Sequence, residues 1–411
     1  MMMKKKLISL CCIFSTVSSK TNLRSSTHEK FFQLADSNLK MAYKVLIGCN
    51  GWSLTKECWN PFFVGSDSSP AISDAHDEVI VGSYDNFIYN LNLQTGELNW
   101  KTKGSGGEDS PKLSPSDGSF IYAWGNLQGA TLDKINRSDG RLIWSAKSPS
   151  GNADITTAGA VDDSLSLVFA GTSSGKFYAV NTFDGSIAWT YDMGCKGEMW
   201  GTLGPLSISD STVCVGAGGN AIPYLNMDAK LVCLDKASGN LVWEAPAGKQ
   251  IQSRPSLGSE LIFVGDYSGH LFGYETSTGK LAFDSKLGGG ILEGSPIVLN
   301  QQSGNEIVLV DSWDGLIYAV NAQDGSLNWK TQVAQSKNDG GGLGSSPVYH
   351  TGRKTVFFGQ PSGISELEIE SGLQVGFFET GVQCGSSPAL SKDETMLVIA
   401  CEDGYLYGIH V

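Results

Sequence analysis

The chain has 411 residues and a formal net charge of -13, with 29 Lys and Arg residues against 42 Asp and Glu residues. Proteins that bind nucleic acid neutralise phosphates with basic patches, so this charge balance excludes nucleic acid as an expected partner. Only 17% of the residues are charged and 51 are glycine. That composition is typical of a fold with many tight turns.

Residues 1–19 predict a secretory signal peptide. Three lysines at positions 4–6 precede an apolar run at 7–14, and small residues follow at 17–19. The apolar run is too short to span a bilayer and no later run is long enough, so no transmembrane segment is expected. We expect the secretory pathway, with an extracellular or periplasmic location, and a cytoplasmic location is the alternative. Residues 20–44 carry none of the repeat signals described next and are interpreted as a loose or partly helical leader.

An eleven-residue pattern that ends in an aromatic residue recurs along the chain. It is clearest at Ala179–Trp189 and Ala319–Trp329, where an alternating apolar run leads into a turn with Asp and Gly. Each copy predicts a hairpin whose second strand carries the aromatic residue. The aromatic position holds Trp100, Trp144, Trp189, Trp243, Phe283, Trp329 and, more loosely, Phe377.

A second signal, usually Ser-Pro, lies upstream of these hairpins. Its copies are Ser69-Pro70, Ser110-Pro111, Gly204-Pro205, Arg254-Pro255, Ser295-Pro296, Ser346-Pro347 and Ser387-Pro388. Proline is tolerated as the first residue of a strand, because no hydrogen-bond donor of the sheet is lost there. With a further apolar strand between the two signals, each repeat predicts a four-stranded antiparallel sheet. Repeats of this kind, about 40 to 50 residues long, are typical of a propeller.

The last repeat begins at Ser387 and has no aromatic strand of its own. Trp59 precedes Pro70 by the same offset as Trp100 precedes Pro111, so residues 54–59 are predicted to supply the missing outer strand. The sequence therefore predicts an all-β fold, an eight-bladed β-propeller of four-stranded antiparallel blades over residues 45–411. Closure by a strand from the N-terminal side removes exposed sheet edges.

The recurring frame Ala-x-Asp-x-x-Thr-Gly-x-x-x-Trp resembles the tryptophan-docking repeat of pyrroloquinoline quinone (PQQ)-like β-propellers. The resemblance extends from Trp59 to Val411. That family includes quinoprotein dehydrogenases. It also includes non-catalytic members, such as the lipoprotein propeller of the bacterial outer-membrane barrel-assembly machinery and the propeller domain of some adenylate-forming enzymes. The resemblance implies the fold and says little about chemistry, because one fold supports many functions.

Nine cysteines are present, two of them in the predicted signal peptide. The candidate disulfides are Cys49–Cys58 and Cys384–Cys401. Cys233 occupies the small-residue position of the repeat and is predicted to be a buried thiol. Cys214 is expected one residue out of register with Cys233, on the opposite face of the sheet. No spacing typical of a zinc site is present.

The longest insertions, at residues 192–202, 218–230 and 332–345, are expected on one face of the ring. With a neighbouring turn they supply the candidate binding residues Glu198, Trp200, Tyr224, Trp313, Lys337 and Asp339. Exposed aromatic residues among charges favour a protein interface or a small-ligand pocket. An equally open alternative is that Trp200 and Tyr224 fill the central channel.

Quinoprotein dehydrogenases of this family typically pair two adjacent cysteines in a ring disulfide against the quinone and bind calcium near a catalytic aspartate. The adjacent pair in this chain, Cys11-Cys12, lies in the predicted signal peptide, and no calcium-ligand motif is recognisable. The resemblance therefore predicts a monomeric, non-catalytic scaffold for a protein or ligand, with no catalytic residue, metal or cofactor. A PQQ-dependent oxidoreductase, with PQQ and calcium bound, is the alternative.

Overall fold

The chain folds into a propeller of four-stranded antiparallel blades. The computed structural model describes residues 39–47, 68–83, 85, 87–103, 110–114, 116, 118, 120–124, 131–149, 159–172, 174–194, 207–218, 229–251, 253–288, 294–333 and 344–411. Within these residues the strands form eight four-stranded sheets, numbered here 1 to 8 in chain order. No helix in the described part is long and apolar enough to cross a membrane.

The first four sheets each take four consecutive strands, from the innermost to the outermost. Sheet 1 contains β2 (Ala71–Ser73), β3 (Glu78–Gly82), β4 (Phe87–Asn92) and β5 (Leu98–Lys103), with a short 3-10 helix at Asp74–His76. Sheet 2 contains β6 (Lys112–Leu113), β7 (Phe120–Trp124), β8 (Thr131–Asn136) and β9 (Leu142–Lys147). Sheet 3 contains β10 (Ala160–Asp162), β11 (Leu167–Gly171), β12 (Lys176–Asn181) and β13 (Ile187–Asp192). Sheet 4 contains β14 (Ser207–Ile208), β15 (Thr212–Gly218), β16 (Ala229–Asp235) and β17 (Leu241–Pro246).

Sheets 5 to 7 follow the same order, and sheet 8 combines strands from both ends of the described chain. Sheet 5 contains β18 (Ser256–Leu257), β19 (Leu261–Gly265), β20 (His270–Glu275) and β21 (Leu281–Lys286). Sheet 6 contains β22 (Ile297–Asn300), β23 (Glu306–Asp311), β24 (Leu316–Asn321) and β25 (Leu327–Gln332). Sheet 7 contains β26 (Val348–His350), β27 (Thr355–Gln360), β28 (Gly363–Glu368) and β29 (Gln374–Glu379). Sheet 8 contains β30 (Ala389–Leu390), β31 (Met396–Ala400), β32 (Tyr405–His410) and β1 (Lys40–Leu46).

The core lies between neighbouring sheets. The two middle strands of a sheet are buried on both faces, as in β3, where Val79, Ile80 and Val81 are fully buried. Because both faces are covered, such strands are continuously apolar. Outer strands such as β5 instead alternate between exposed and half-buried residues. Within a sheet, the middle strands are therefore continuously apolar, whereas the outer strand alternates between exposed and half-buried residues.

The outer-strand aromatic residues connect each sheet to the next. In sheet 1, the Trp100 indole N–H donates to the carbonyl of Arg137 in sheet 2 at 2.8 Å, and the ring covers Gly140. A Cβ atom at Gly140 would lie 2.6 Å from the ring, so this turn requires glycine. The same carbonyl contact is made by Trp144 to Thr182, Trp189 to Lys236, Trp243 to Thr276 and Trp329 to Ile369. Phe283, which lacks an indole N–H, packs over Gly325.

The outer strand of sheet 8 is β1, and the prediction that residues 54–59 fill this position is wrong. The strand pairs with β32 from Lys40 opposite His410 to Leu46 opposite Tyr405. Tyr43 faces Gly408 and covers Gly96 of sheet 1, the place predicted for Trp59. The offset from the proline gave a wrong assignment for two reasons. A tyrosine fills the aromatic position, and the stretch between this tyrosine and Pro70 is longer than the stretch between Trp100 and Pro111. The predicted leader, 20–44, therefore overlaps a strand, and residues 54–59 lie outside the described residues.

The serine of the Ser-Pro signal links neighbouring sheets, a role that the sequence pattern did not predict. We call Ser69, Ser110, Ser295, Ser346 and Ser387 the serine girdle. Each Oγ accepts the backbone N–H of the corresponding residue one sheet earlier, at 2.9–3.1 Å. The donors are Ser387 for Ser69, Ser69 for Ser110, Arg254 for Ser295, Ser295 for Ser346 and Ser346 for Ser387.

The described residues include two disulfides. Cys384, in the connection before sheet 8, is bonded to Cys401, which directly follows β31, and the candidate pair Cys49 and Cys58 lies outside the described residues. Cys214 and Cys233 are also bonded and sit directly opposite each other on β15 and β16. The expected one-residue offset between them is wrong, because the connection between the first two strands differs in length from sheet to sheet. Alignment on the proline therefore does not fix the register.

Candidate functional site

The candidate binding face is only partly described. Five of its six predicted residues, Glu198, Trp200, Tyr224, Lys337 and Asp339, lie outside the described residues. The sixth, Trp313, is half-buried in the turn between β23 and β24. The structure therefore does not bring the six residues together, and it defines the turn that carries Trp313.

An aspartate anchors the turn that holds Trp313. Asp314 accepts the Leu316 N–H through Oδ1 at 3.2 Å and the Tyr318 hydroxyl through Oδ2 at 2.8 Å. Burial raises the pKa of Tyr318, and the hydrogen bond to Asp314 adds to that effect. The phenol therefore stays protonated at neutral pH and keeps donating. The turn is held rigidly to its own strand, which fixes the backbone on either side of Trp313.

The equivalent turn of sheet 8 has the same construction. Asp403 accepts the Tyr405 N–H at 3.2 Å and the Tyr407 hydroxyl at 2.8 Å. Its carboxylate also pairs with the Lys44 ammonium at 2.8 Å, so β1 is tied to this turn. The Lys44 ammonium lies over the Tyr405 and Tyr407 rings, at 4.2 and 4.7 Å from their centroids. This carboxylate is therefore occupied in holding the closing strand.

The connection that leaves β21 runs over the Trp313 turn. A Cβ atom at Gly288 would lie 2.4 Å from both Asp314 Oδ2 and the Tyr318 hydroxyl, so a larger residue there would have to displace these two side-chain groups. Gly248 approaches Asp266 and Phe272 of sheet 5 in the same way. Connections between sheets thus cross the turns of the next sheet at close range. This crossing brings sheet-to-sheet connections and turns to one face of the propeller.

The fully buried Asp266 is satisfied by its own turn. Its Oδ1 accepts the N–H groups of Ser268 and His270 at 3.0 and 2.8 Å, and its Oδ2 accepts the Lys249 N–H at 2.9 Å. A carboxylate that accepts this many hydrogen bonds fixes the local backbone. In the described part of the chain, no three His, Cys, Asp or Glu side chains come together to hold a metal ion.

The opposite face is formed by the hairpin turns of the repeat. Asn136 Oδ1 accepts the Ser138 N–H at 2.9 Å and the Ser138 hydroxyl at 2.7 Å, which closes an Asx turn. The same acceptor position holds Asn92, Asn181, Asp235 and Asn321. Phe183 projects from one of these turns with 86% of its surface exposed. These turns therefore share one construction, in which a single Asn or Asp side-chain oxygen accepts backbone N–H groups of the turn.

Ion pairs also cross between sheets on this face. Lys236 of sheet 4 contacts Asp162 of sheet 3 at 2.6 Å, and both side chains are largely buried. Burial alone would raise the pKa of Asp162, but hydrogen bonds from Lys236, Ser164 and the Leu165 N–H together lower it. The pair therefore stabilises the contact between sheets while the carboxylate is ionised.

Sequence reasoning missed two residues that the structure makes prominent. Tyr43 closes the propeller, and its tyrosine did not match the tryptophan being sought. Arg254 occupies a Ser-Pro position in which five of the seven copies of the signal carry serine. The charged side chain in that position was visible in the sequence and is the signal that would have identified Arg254.

Comparison with known proteins gives a consistent family match. The family model described as outer membrane protein assembly factor BamB, of the PQQ-like repeat type, matches residues 41–227 and 227–376. A protein of that name from Bordetella pertussis is 21% identical over 271 residues, which cover 56% of this chain and 66% of the relative. One from Burkholderia pseudomallei is 25% identical over 353 residues, 84% of each chain.

A solved structure agrees on the fold. The crystal structure of BamB from Moraxella catarrhalis aligns with a TM-score of 0.66 at 16% identity, and the alignment covers 91% of this chain and 100% of that one. The chain nevertheless spans slightly less than two thirds of the length of the Bordetella pertussis relative. The likeness is to assembly factors of the outer membrane rather than to quinoprotein dehydrogenases.

Proposed function

We propose that this chain, which belongs to the outer membrane protein assembly factor BamB family of PQQ-like propellers, is a scaffold that binds another protein and catalyses no reaction. The family match over residues 41–376 carries this proposal. The described turns support it, because the carboxylates of Asp266, Asp314 and Asp403 are engaged in hydrogen bonds to groups of their own sheets. A rigid face with an aromatic residue such as Trp313 suits protein recognition.

We also propose that the eight described sheets are the eight blades of one closed ring. The hydrogen bond from Ser387 to Ser69 joins sheet 8 to sheet 1. The innermost strand of sheet 8, β30, contacts the innermost strands of both sheet 7 and sheet 1. At the outer edge, Tyr43 of sheet 8 covers Gly96 of sheet 1. Sheets 8 and 1 are therefore joined both at their inner strands and at their outer edge.

The proposed partner is a component of the machinery that assembles outer membrane proteins, since the relatives are named for that process. The proposed location is the periplasmic side of the cell envelope. Two described disulfides support that location, because disulfides persist in oxidising compartments such as the periplasm. The signal peptide predicted for residues 1–19 would deliver the chain there.

Complementation tests the scaffold proposal. A bacterial strain that lacks its own assembly factor is expected to recover outer membrane protein levels when it expresses this chain. A photocrosslinking residue at position 313 should then capture a barrel-assembly component, and one at position 183, on the opposite face, should not. Failure to restore outer membrane proteins at normal expression of the chain would contradict the assembly role. Equal capture at the two positions would contradict the choice of face.

We propose further that the protein uses no PQQ. A bound quinone needs stacking partners and a calcium ion held by free carboxylates and amides. The carboxylates of Asp266, Asp314 and Asp403 do not fit such a donor set, because backbone N–H groups and hydroxyls already engage them. Purified protein supplied with PQQ and calcium should show no dye-linked alcohol or aldose dehydrogenase activity. Calcium-dependent dye reduction with stoichiometric PQQ would contradict this.

A further inference from the structure

A cavity of about 420 Å³ lies where sheet 8 meets sheet 1, on the face formed by the hairpin turns. Its walls are the connection between β2 and β3, the turn between β4 and β5, and the connection between β30 and β31. The Lys392 N–H donates to Asp74 Oδ1 at 2.6 Å across this contact. The volume lies within the usual range of small-ligand pockets, about 300 to 1,000 Å³. We call this cavity the seam pocket, and its wall includes Asp74, Asp77, Leu93, Ser391, Lys392 and Asp393.

The seam pocket exists because two short side chains meet there. Lys236 of sheet 4 occupies the position that Leu93 has in sheet 1, since each directly follows the third strand of its sheet. The Lys236 ammonium reaches Asp162 of sheet 3 at 2.6 Å. Asp162 in turn occupies the position of Ser391, since each lies opposite the first residue of the second strand. A basic side chain therefore fills the contact between sheets 3 and 4, whereas leucine and serine leave the same place open between sheets 8 and 1.

The backbone carbonyl of Leu93 lacks the donor that most of its equivalents have. In five contacts the carbonyl at this position accepts an indole N–H from the preceding sheet, as Arg137 accepts from Trp100 at 2.8 Å. Tyr43 replaces that tryptophan in sheet 8, and its hydroxyl has no hydrogen-bond partner among the described residues. Leu93 is only 2% exposed, and the described part of the chain supplies no donor to its carbonyl. Because carbonyls at this position face the preceding sheet, the unpaired acceptor lies on the side of sheet 1 that borders the seam pocket. A buried acceptor without a donor is unfavourable, which favours a ligand that donates.

The Asp77 carboxylate is a second acceptor without a partner. The Asp77 backbone is fixed, because its carbonyl accepts the Leu93 N–H at 2.8 Å. Its carboxylate makes no hydrogen bond or ion pair within the described residues. The contact between sheets 5 and 6 also lacks an indole, since Phe283 lies there, but the carboxylate at the Asp77 position is Glu306, which accepts the Ser259 hydroxyl at 2.8 Å. The contact between sheets 8 and 1 thus combines an unpaired carbonyl with an unpaired carboxylate.

The remaining charges leave the seam pocket acidic without making it a metal site. Asp74 and Asp393 also belong to its wall, as does Lys392. The Lys392 ammonium forms no ion pair within the described residues, so it does not neutralise the carboxylates. Nowhere in the described ranges do three His, Cys, Asp or Glu side chains come together to hold a metal ion. The seam pocket therefore suits an extended cationic group rather than a bare ion.

We infer that the seam pocket binds the guanidinium of an arginine side chain from another protein. A guanidinium carries five N–H donors in a planar fork, enough to engage the Asp77 carboxylate and the Leu93 carbonyl together. A lysine ammonium has three donors and cannot match both carboxylate oxygens in a planar fork. Arg137, at the Leu93 position of sheet 2, already directs its guanidinium to Glu78 of sheet 1. The inference goes beyond the scaffold function, since the seam pocket lies on the face opposite Trp313 and a free peptide suffices to occupy it.

The test uses the purified full chain labelled with 15N-lysine. The backbone amide signal of Lys392, assigned by its loss in Lys392→Arg, is followed by NMR during titration with acetyl-Gly-Arg-Gly-amide. Matched peptides replace arginine by citrulline, which keeps the shape and loses the charge, or by lysine. We expect a saturable shift with the arginine peptide, and binding weaker by about tenfold or more with the other two. Calcium chloride alone should not saturate the signal. Lys280, in an exposed hairpin turn of sheet 5 on the same face, is the control, and its signal should not respond.

Three variants locate the binding. Asp77→Asn removes the charge and keeps the backbone, because asparagine tolerates the left-handed conformation at this position, where φ is 57°. It should weaken binding of the arginine peptide by about tenfold. Asp210→Asn removes the same charge from an exposed turn of sheet 4 and should leave binding unchanged. Leu93→Arg should abolish binding, because it places a guanidinium of the chain itself at this contact, as Arg137 does in sheet 2.

Several results would overturn the inference. The arginine peptide fails to saturate the Lys392 signal, or the citrulline or lysine peptide binds as tightly. Asp77→Asn and Asp210→Asn weaken binding alike, which would indicate attraction to the acidic chain as a whole. Saturation by calcium without saturation by the arginine peptide would replace the arginine site by a metal site. Asp77→Asn decides the matter even where Leu93→Arg does not fold.

Discussion

The backbone N–H of Ser387 donates to Ser69 Oγ at 3.1 Å, although 318 positions separate the two residues. The same bond, at 2.9 Å, connects Ser69 to Ser110 one sheet further on. Sheets that meet through the ends of the described chain are thus joined like sheets that follow each other in sequence. The serine that marks the start of an innermost strand in the sequence therefore also connects neighbouring sheets.

Replacing Ser69 by alanine should destabilise the protein by about 1–2 kcal/mol, the usual cost of leaving a partly buried donor unpaired. The donor left without its acceptor is the Ser387 N–H. Chemical unfolding followed by tryptophan fluorescence gives the change in unfolding free energy. Ser277→Ala, at an exposed turn position, is the control and should have no effect. Equal losses in the two variants would rule out a specific contribution of the girdle.

Tyr43→Ala should cost about 3 kcal/mol or more, because it removes a buried aromatic ring from the closing contact. The ring is 8% exposed and fills the space over Gly96 and Gly408. Tyr43→Phe is the matched control: the hydroxyl is buried and has no hydrogen-bond partner among the described residues, so its loss should leave the melting temperature equal or higher. A large loss in the phenylalanine variant would show that the hydroxyl, and not the ring, holds the strand.

Removing either disulfide should lower the free energy of unfolding by about 3 kcal/mol, since each closes a short loop in the unfolded chain. The bonded residues are 19 positions apart for Cys214–Cys233 and 17 for Cys384–Cys401. Each pair is replaced by two alanines and melted beside the wild-type protein. Alkylation of the unreduced, unfolded protein followed by mass spectrometry should leave all four cysteines unmodified. Modification of any of the four would contradict the pairing.

The ion pair between Lys236 and Asp162 should make stability depend on pH. Because the folded state lowers the pKa of Asp162, its contribution is present above the pKa of an unfolded aspartate, about 3.9. It is lost as the pH falls through the lower folded pKa. The difference in melting temperature between wild-type protein and Asp162→Asn should therefore be large at pH 7 and should shrink below pH 4. Asp210→Asn, in an exposed turn, is the control and should show little difference at either pH.

Asn136 forms a glycosylation sequon with Ser138 and should nevertheless remain unmodified. Its side chain is held in the Asx turn by the Ser138 N–H and hydroxyl. Intact mass of protein secreted from a glycosylating host should show no glycan at this site. Asn136→Ala should cost about 0.5–1 kcal/mol through loss of the turn acceptor, and Asn136→Asp should retain most of that stability. A glycan at high occupancy would contradict the structural role.

The repeat pattern was sufficient to predict the propeller and its four-stranded units, because hydrophobic alternation and turn glycines are local properties of the chain. The closing strand was not predictable in this way. Tyr43 and Gly96 belong to different sheets, and their contact depends on a pairing between β1 and β32 that leaves no local sequence signal. The register of Cys214 failed for a related reason, since a change of one residue in a connecting turn exchanges the two faces of a strand.

The candidate site was less predictable than the fold. Insertions indicate where the sequence departs from the repeat, but not which side chains converge. Trp313 was identified because it is an aromatic residue in a turn. Arg254 lies outside the insertions, although it breaks a regular position of the repeat itself. Irregular residues within regular elements are therefore as informative as irregular segments.

The pairing of β1 with β32 also has a consequence in time. Lys40 is made early, but its neighbour His410 is added 370 residues later. At common rates of synthesis, this delay is about 20 to 70 s. During that interval β1 has no neighbour in sheet 8, and its N–H and C=O groups remain open to other chains. The first described strand is thus the last to be paired, so the newly synthesised chain must avoid aggregation until β32 is made.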